Sequence, residues 1–446
     1  MTLSILILAA GKSKRMQSAT PKVLHAIAGK KMIHYAIDAA KSLQPTQIAA
    51  VIGTDMAELT SAIAPIPAVI QNPPRGTGHA VQCATDFLSG ANGTVLVIYG
   101  DTPFLQTATL QKLVAKIASG FAVGVIGFYP EQPGSYGRLV TTPDGKLQAI
   151  VEARDCTAEQ KFISYCNAGI MAFDAKRVLP LLAQLQPHNA QSELYLTDLV
   201  SLAVAAGMNC TTIEAEAAEV IGINSREELA KAEAVAQTAL RRKMMDAGVT
   251  LLDPHSVYLS HDTKIGADST IEPHVFFGPG VTVGAGSVIK AFSHLDGVTI
   301  GDHCRIGPFA RLRPGSDLAD HVHIGNFVEL KNARLESGVK AGHLSYLGDV
   351  TIGSDTNIGA GTITCNYDGF NKHQTTIGAG VFIGSNTALV APVALGDGAM
   401  IGAGSVITAD VPADALGISR SAQENKPGWA MRFREFFSKR NRKIVG

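Results

Sequence analysis

The chain has 446 residues, too many for one ordinary hydrophobic core, so two domains are expected. Its 38 basic residues balance 38 acidic ones, which removes the long-range field that nucleic acid or an anionic membrane would require. Hydrophobic residues at 46% exclude a disordered chain, and 45 glycines point to an architecture with many tight turns.

In chain order, the first apolar run covers residues 3–10, far short of the ~18 to 20 residues that cross a bilayer. No Lys or Arg precedes it, and Lys12, Lys14 and Arg15 follow, so it reads as a first strand and not as a leader. Nearly continuous aliphatic segments at 4–9 and 93–99 suit strands buried on both faces of a parallel sheet. Amphipathic stretches at 33–43 and 109–119 read as helices between such strands, which makes the first half α/β with ligands at the carboxyl ends of its strands.

Ser225 and Glu228 form an S-x-x-E capping box, and no Gly or Pro interrupts the chain until Gly248. One helix of about 20 residues, ~30 Å long, is expected there as a strut. The domains are therefore drawn as 1–226, a linker helix 227–247, and 248–446. The six cysteines include no CxxC pair, so neither a zinc ribbon nor a disulfide framework is indicated, and a reducing cytoplasm fits.

Beyond residue 250 the period becomes six. Aliphatic residues recur at Ile265, Ile271, Phe277, Val283, Ile289 and Leu295, and resume one residue early at Ile300, Ile306, Leu312, Leu318, Ile324 and Leu330. After Ala341, Leu347 and Ile358 and an interruption at 365–376, the register returns at Ile377, Ile383, Leu389, Leu395, Ile401 and Ile407. Such hexads specify a parallel β-helix, three per triangular coil and about eight coils in all.

The segment Leu8-Ala9-Ala10-Gly11-Lys12-Ser13-Lys14-Arg15-Met16, with Pro21-Lys22 behind it, is a cationic Gly-turn at the end of the first strand. Backbone N–H groups and fixed positive charge make such a turn a place for nucleotide phosphates. Neither G-x-G-x-x-G nor G-x-x-x-x-G-K-[ST] is present, which disfavours a Rossmann dehydrogenase and a Walker ATPase. On local sequence alone the turn also fits a solvated surface, Asp101 a helix cap and Asn224 a turn residue.

With Gln71, Gly76-Thr77-Gly78-His79, Tyr99-Gly100-Asp101, Tyr136-Gly137-Arg138, Val151-Glu152, Asn167-Ala168-Gly169 and Tyr195-Leu196-Thr197-Asp198, the first half resembles the sugar-nucleotide pyrophosphorylases. Their signature is L-A-A-G-x-G-T-R-M followed by P-K; Arg15, Met16 and Lys22 match, and Ser13-Lys14 stand in place of Gly-Thr. The resemblance implies attack of a sugar 1-phosphate on the α-phosphorus of UTP, with Asp101 and Asn224 holding Mg²⁺. Arg15 and Lys22 would neutralise phosphate charge. Leu8, Ala9, Ala10, Gly11, Gln71, Gly76, Thr77, Tyr99, Gly100, Gly137, Glu152 and Asn167 would contact UTP or the UDP-sugar.

In the second half, residues of equal phase three hexads apart lie one above another at ~4.8 Å per coil. Arg313 and Lys331 then share a corner, as a phosphate clamp or as two solvated side chains. The third positions of four hexads stack His343, Ala360, Ser385 and Ala403 into a column about 14 Å long, comparable to an extended pantetheine arm. His343 at one end is a base beside a thioester or a structural histidine, and His303, His321 and His323 raise zinc as a weaker reading.

The repeat resembles the left-handed β-helix of the hexapeptide acyltransferases, a usually trimeric family from which the handedness is inferred. Gly325-Asn326-Phe327-Val328-Glu329, Ala341-Gly342-His343-Leu344 and the stretch from Gly359 to Gly369 narrow the resemblance. They are similar to a bacterial bifunctional family that acetylates glucosamine 1-phosphate and uridylylates the product in UDP-N-acetylglucosamine synthesis. That implies His343 as general base, Arg313, Lys331, Tyr346 and Asn357 on the sugar phosphate, and Ala360, Asn366, Tyr367, Ser385, Ala403 and Arg420 on acetyl-CoA. It further implies a cytoplasmic homotrimer with UTP and acetyl-CoA as co-substrates. The alternative is a monofunctional nucleotidyltransferase with a trimerising β-helix. The basic aromatic tail from Arg432 to Lys443 reads as solvated, or as touching a membrane surface or coenzyme phosphates.

Overall fold

The aliphatic runs of the first half form the middle of a nine-stranded sheet. A computed structural model describes residues 2–11 and 14–442, so Lys12 and Ser13 of the cationic turn and residues 443–446 of the tail lie outside the described residues. The chain divides into two units, Met1–Leu240 and Arg241–Gly446.

In the first unit, Leu3–Leu8 pairs in parallel with Thr94–Tyr99 on one side and Gln47–Gly53 on the other, with Ala68–Gln71 beyond. Ile5, Leu6 and Ile7 are wholly buried, because helices cover both faces. Met32–Ser42 and Thr107–Ala118 bury Ile33, Ile37, Leu110 and Leu113 on one face; Thr77–Cys83 and Asp198–Ala205 bury Val81, Leu199 and Val200 on the other. The sheet is mixed and not wholly parallel, since Cys166–Asp174 runs antiparallel to both Thr94–Tyr99 and Val123–Phe128. The reason lies in the connection. Val123–Phe128 is followed by the hairpin Arg138–Thr141 and Leu147–Val151, and an antiparallel return needs no helical crossover.

The capping box forms at the start of the helix Arg226–Asp246. Ser225 Oγ accepts from Glu228 N at 3.2 Å, and Glu228 Oε2 accepts from Ser225 N at 3.1 Å. Ala232 and Ala236 of this helix pack on Ile27, Met32 and Ile223 within the first unit. The last turn belongs to the second unit, where Arg241 Nε donates to Val257 O at 2.8 Å, and Gly248 at φ +88° ends the helix.

The second unit is a parallel β-helix of short strands, many of only two residues, which place one side chain out and one in. Ile271, Ile289, Ile306, Ile324 and Ala341 are wholly buried and stack on one face of a ten-stranded sheet. The other two faces merge into a fourteen-stranded sheet because Glu329–Leu335 and Tyr346–Ile352 continue around a corner. The left-handed corner residue lies three places beyond the core residue of its strand, at His274, Phe292, Phe309, Phe327 and Leu344, with φ between 53° and 60°. The phenylalanines there stack at 5.1 and 5.2 Å, close to the coil rise, and are about half exposed. Beyond the coils, Trp429–Arg442 is helical, with Trp429 stacked on Phe433 at 4.9 Å. Among the described residues no helix is long and apolar enough to cross a membrane, and the six cysteines are free thiols.

Candidate active sites

Parallel strands end side by side at Leu8, Tyr99 and Gln71, and the turns that follow open a cleft of about 620 Å³. Leu8, Ala9, Ala10, Gly11, Lys22, Gln71, Gly76, Thr77, Tyr99 and Asp101 line it, as do Pro74 and Glu193. Gly100 sits behind this wall with its N–H on Leu8 O at 3.0 Å. The Lys22 ammonium is ion-paired with the Asp101 carboxylate and donates to Asn224 Oδ1 at 2.9 Å. Both oxygens thus converge on one cation, although Asn224 is 202 residues from Lys22 in the chain. The segment before the long helix is docked there by Ile223 N on Asp101 O at 3.0 Å.

On the base side, Gln71 is buried at 4% exposure, and its Nε2 donates to Gly76 O at 2.9 Å and to His79 Nδ1 at 3.3 Å. Burial and then Arg75 hold the His79 imidazole below its usual value, which keeps it a neutral acceptor. With both amide hydrogens engaged, Gln71 presents its oxygen as an acceptor. Gly76 lies at φ +104°, and a Cβ there would come within 2.5 Å of Leu194 O, so no larger residue fits the turn.

A third group gathers by the hairpin. Asn167 N donates to Gly137 O at 2.8 Å, and Thr197 Oγ donates to Glu152 Oε1 at 3.3 Å. Burial, with Asp155 and Asp198 nearby, pushes the Glu152 carboxyl up despite the Thr197 bond. Burial beside Asp101 and Glu152 pushes the Tyr99 hydroxyl far up, so it stays a neutral donor. Arg15 is exposed on the turn Lys14–Met16 and is not part of the cleft wall.

In the second unit a cleft of about 410 Å³ is lined by His323, Lys340, His343, Asn357, Ala360, Phe382 and Ser385. The register Ala341–Ile358–Ile383–Ile401 runs coil to coil, and corner hydrogen bonds follow it: Gly361 N to His343 O, Asn386 N to Ala360 O at 2.7 Å, and Gly404 N to Ser385 O at 2.8 Å. His343, Ala360, Ser385 and Ala403 therefore occupy consecutive coils, and Arg420 extends the column by donating to Ala403 O at 3.0 Å.

Arg313 and Lys331 do lie in adjacent coils, with Arg313 N on Leu330 O at 2.9 Å. Arg313 is paired with Glu329 at 2.8 Å, a partner that hexad counting did not supply. Lys372 is the other missed residue: it stands beside Lys331 and, with Arg313, holds that ammonium below its usual value. Its place in the interruption at 365–376 put it beyond the reach of the hexad register. Asn366 Nδ2 donates to Asp349 Oδ2 at 2.5 Å, and Tyr346 OH lies beside the same Asn366 nitrogen over Gly348. Asn357, by contrast, belongs to the ten-stranded sheet beside His343, whereas Lys331 and Tyr346 belong to the other sheet, and Arg313 follows its strand Arg311–Leu312.

The interruption at 365–376 is tied to itself. The Asp368 carboxylate accepts from Asn371 N at 2.6 Å, Phe370 N at 2.7 Å and His373 Nε2 at 2.7 Å, and Tyr367, largely exposed, donates to Gly369 O at 2.6 Å. His303 and His321 stack ring on ring at 5.3 Å, and among the described residues no group of three His, Cys, Asp or Glu side chains could hold a metal.

Residues 5–194 match the MobA-like NTP transferase domain, residues 262–297 and 297–332 the bacterial transferase hexapeptide, and 374–409 the hexapeptide repeat of succinyl-transferase. The repeat, with the parallel coils described above, is that of a left-handed β-helix. Over 434 residues the chain is 51% identical to the bifunctional protein GlmU of Paramagnetospirillum magneticum, covering 97% of this chain and 96% of that one. The GlmU of Azorhizobium caulinodans is 50% identical over 437 residues, 97% of each chain. That of Zymomonas mobilis is 45% identical over 438 residues, again 97% of each. With both clefts inside the matched length, the chain belongs to the family of the bifunctional protein GlmU.

Proposed function

We propose that the chain is a bifunctional enzyme of UDP-N-acetylglucosamine biosynthesis. Its second unit moves acetyl from acetyl-CoA to glucosamine 1-phosphate, and its first moves uridylyl from UTP to the resulting N-acetylglucosamine 1-phosphate, releasing pyrophosphate. The product feeds peptidoglycan and lipopolysaccharide precursors. The observation that carries this reading is that each unit holds its own cleft: Lys22, Asp101 and Asn224 meet at one, and His343 heads a coil-to-coil column in the other.

In uridylyl transfer an oxygen of the sugar phosphate bonds to the α-phosphorus of UTP while the bond to the β-phosphate bridge breaks. Such chemistry needs positioning and charge neutralisation. Lys22 supplies a fixed cation at the strand ends, with Arg15 from the neighbouring turn, and Gln71 offers its oxygen to the N3–H of uracil, a hydrogen that cytosine lacks there. Glu152, Asn167, Gly137 and Thr77 surround the sugar. Asp101 and Asn224 are hard oxygen donors already converging on a cation, which fits Mg²⁺. When bound, that ion neutralises phosphate charge.

In acetyl transfer the amine nitrogen bonds to the thioester carbonyl carbon and gives up a proton to His343, and the C–S bond breaks to release CoA thiolate, which takes up a proton to leave as free thiol. The small side chains of Ala360, Ser385 and Ala403 leave room for the coenzyme arm along the column, with Arg420 at its far end, and Asn366 and Tyr367 flank it. Arg313, Lys331, Lys372 and Tyr346 suit the sugar phosphate. Because Lys331 and Tyr346 lie on a different sheet from His343 and Asn357, a homotrimer completing each acetyl-transfer site from a neighbouring copy is the assembly we propose, and the exposed Phe292, Phe309 and Phe327 ladder is apolar surface of the kind such contacts cover. We place the enzyme in the cytoplasm, where its phosphorylated substrates are made.

A coupled assay with glucosamine 1-phosphate, acetyl-CoA, UTP and Mg²⁺, following free thiol and pyrophosphate, tests the reading. Both products are expected; pyrophosphate without thiol would leave a monofunctional nucleotidyltransferase. The proposed domains are 1–226, the helix 227–247, and 248–446. A fragment ending at Leu240 should keep uridylyl transfer and lack acetyl transfer. One ending at residue 226 should melt lower, having lost Ala232, Ala236 and the Glu228 cap. A folded Leu240 fragment inactive toward UTP would refute the separation.

A further inference from the structure

We propose that Asn326 is a positioning residue for acetyl transfer, fixing the His343 imidazole in the tautomer whose Nε2 is the base. The inference rests on the reading of His343 as that base. Asn326 and His343 are register partners on adjacent coils, and Asn326 Oδ1 lies 2.8 Å from His343 Nδ1. An amide oxygen can only accept, so Nδ1 carries the hydrogen and donates, which leaves the lone pair of the neutral ring on Nε2. The reverse amide orientation would put a donor on Nδ1 and the hydrogen on Nε2, and the ring would have no lone pair left for the amine's proton.

The backbone is built for this contact. Leu344 N donates to Asn326 O at 3.0 Å, and the coils approach so closely that a Cβ on Gly325 would lie 1.8 Å from Gly342 O. Glycine in both coils lets the next side chains, Asn326 and His343, meet directly. His343 is exposed on its other side, so this one bond orients a ring that solvent would otherwise leave free to turn. The titratable groups facing it across the cleft are His323 and Lys340. His323 is held below its usual value by burial and then by Arg305, Lys290 and Lys340, so it stays largely neutral and does not replace Asn326 as a fixed partner.

The test measures kcat, KM for both substrates and the pH profile of acetyl transfer in the full chain for Asn326→Leu, Asn326→Asp and His343→Ala. Asn326→Leu should lower kcat by roughly 10- to 100-fold with KM little changed, the size of effect seen when metal-bound histidines lose the partner that orients them. Asn326→Asp keeps the shape and the acceptor but adds charge, so it should restore kcat at high pH while moving the acid limb up by about one unit or more. Unchanged kcat and pH profile in both Asn326 variants, or a rise in KM alone, would overturn the proposal while a strong loss in His343→Ala kept the base. No loss in His343→Ala would remove the base itself and the proposal with it.

Discussion

Replacing Asp101 by Asn is expected to lower pyrophosphate release by about 10³-fold and to leave CoA release unchanged. Asp101 follows the strand Thr94–Tyr99 and brings the one carboxylate of the Lys22–Asp101–Asn224 group to the ligand edge of the sheet. The substitution keeps size and hydrogen-bonding shape but removes the charge, so a Mg²⁺ held there would lose its anionic protein ligand. Several kcal/mol of charge stabilisation around the phosphates would be lost, and each 1.36 kcal/mol is tenfold in rate. Adding EDTA to the native enzyme should reproduce the loss in uridylyl transfer alone. Pyrophosphate release that survived Asp101→Asn, or CoA release that stopped with EDTA, would show the metal to be assigned to the wrong place.

His343→Ala should reduce acetyl transfer by roughly 10²- to 10⁴-fold, the range for one positioned base, while uridylyl transfer remains intact. An amine attacks only as the free base, and its adduct must shed a proton; after the substitution, water alone is left to take it. The column adds a separate requirement. Ala360 lines the same cleft one coil from His343, and Ala403 lies two coils beyond Ala360. Replacing either with Trp should raise KM for acetyl-CoA with less effect on KM for the sugar phosphate. Initial rates against both substrates separate the cases: unchanged acetyl transfer in His343→Ala removes the base, and unchanged KM in both bulky variants removes the column.

The hexad register was legible because each coil is local in sequence and repeats the same inward and outward choice. Counting alone stacked Arg313 on Lys331 and His343 above Ala360, Ser385 and Ala403, and the pairings of the β-helix follow that count. The same count carried one coil toward the amino terminus reaches Asn326, so the partner of His343 was within reach of the sequence. Lys372 was not, because an insertion that breaks a period also erases positional information. Glu329 precedes the core residue Leu330 and so sits in the register beside Arg311, but whether it faces Arg313 or solvent depends on rotamers that spacing does not encode.

Local chemistry determined the elements by itself: aliphatic runs made the buried strands, the Ser225 and Glu228 box started the long helix, and Gly248 ended it. Tertiary structure alone decided what those elements bring together. The antiparallel course of Cys166–Asp174 depends on a hairpin excursion whose return direction no local pattern records. Lys22, Asp101 and Asn224 come from three distant segments, and only the crossing of parallel strands and the docking of Ile223 on Asp101 set their oxygens around one ammonium. A periodic β-helix stores its geometry in the chain one coil at a time, whereas a doubly covered sheet stores it in the order and direction of strands, which are long-range choices made by packing both faces at once.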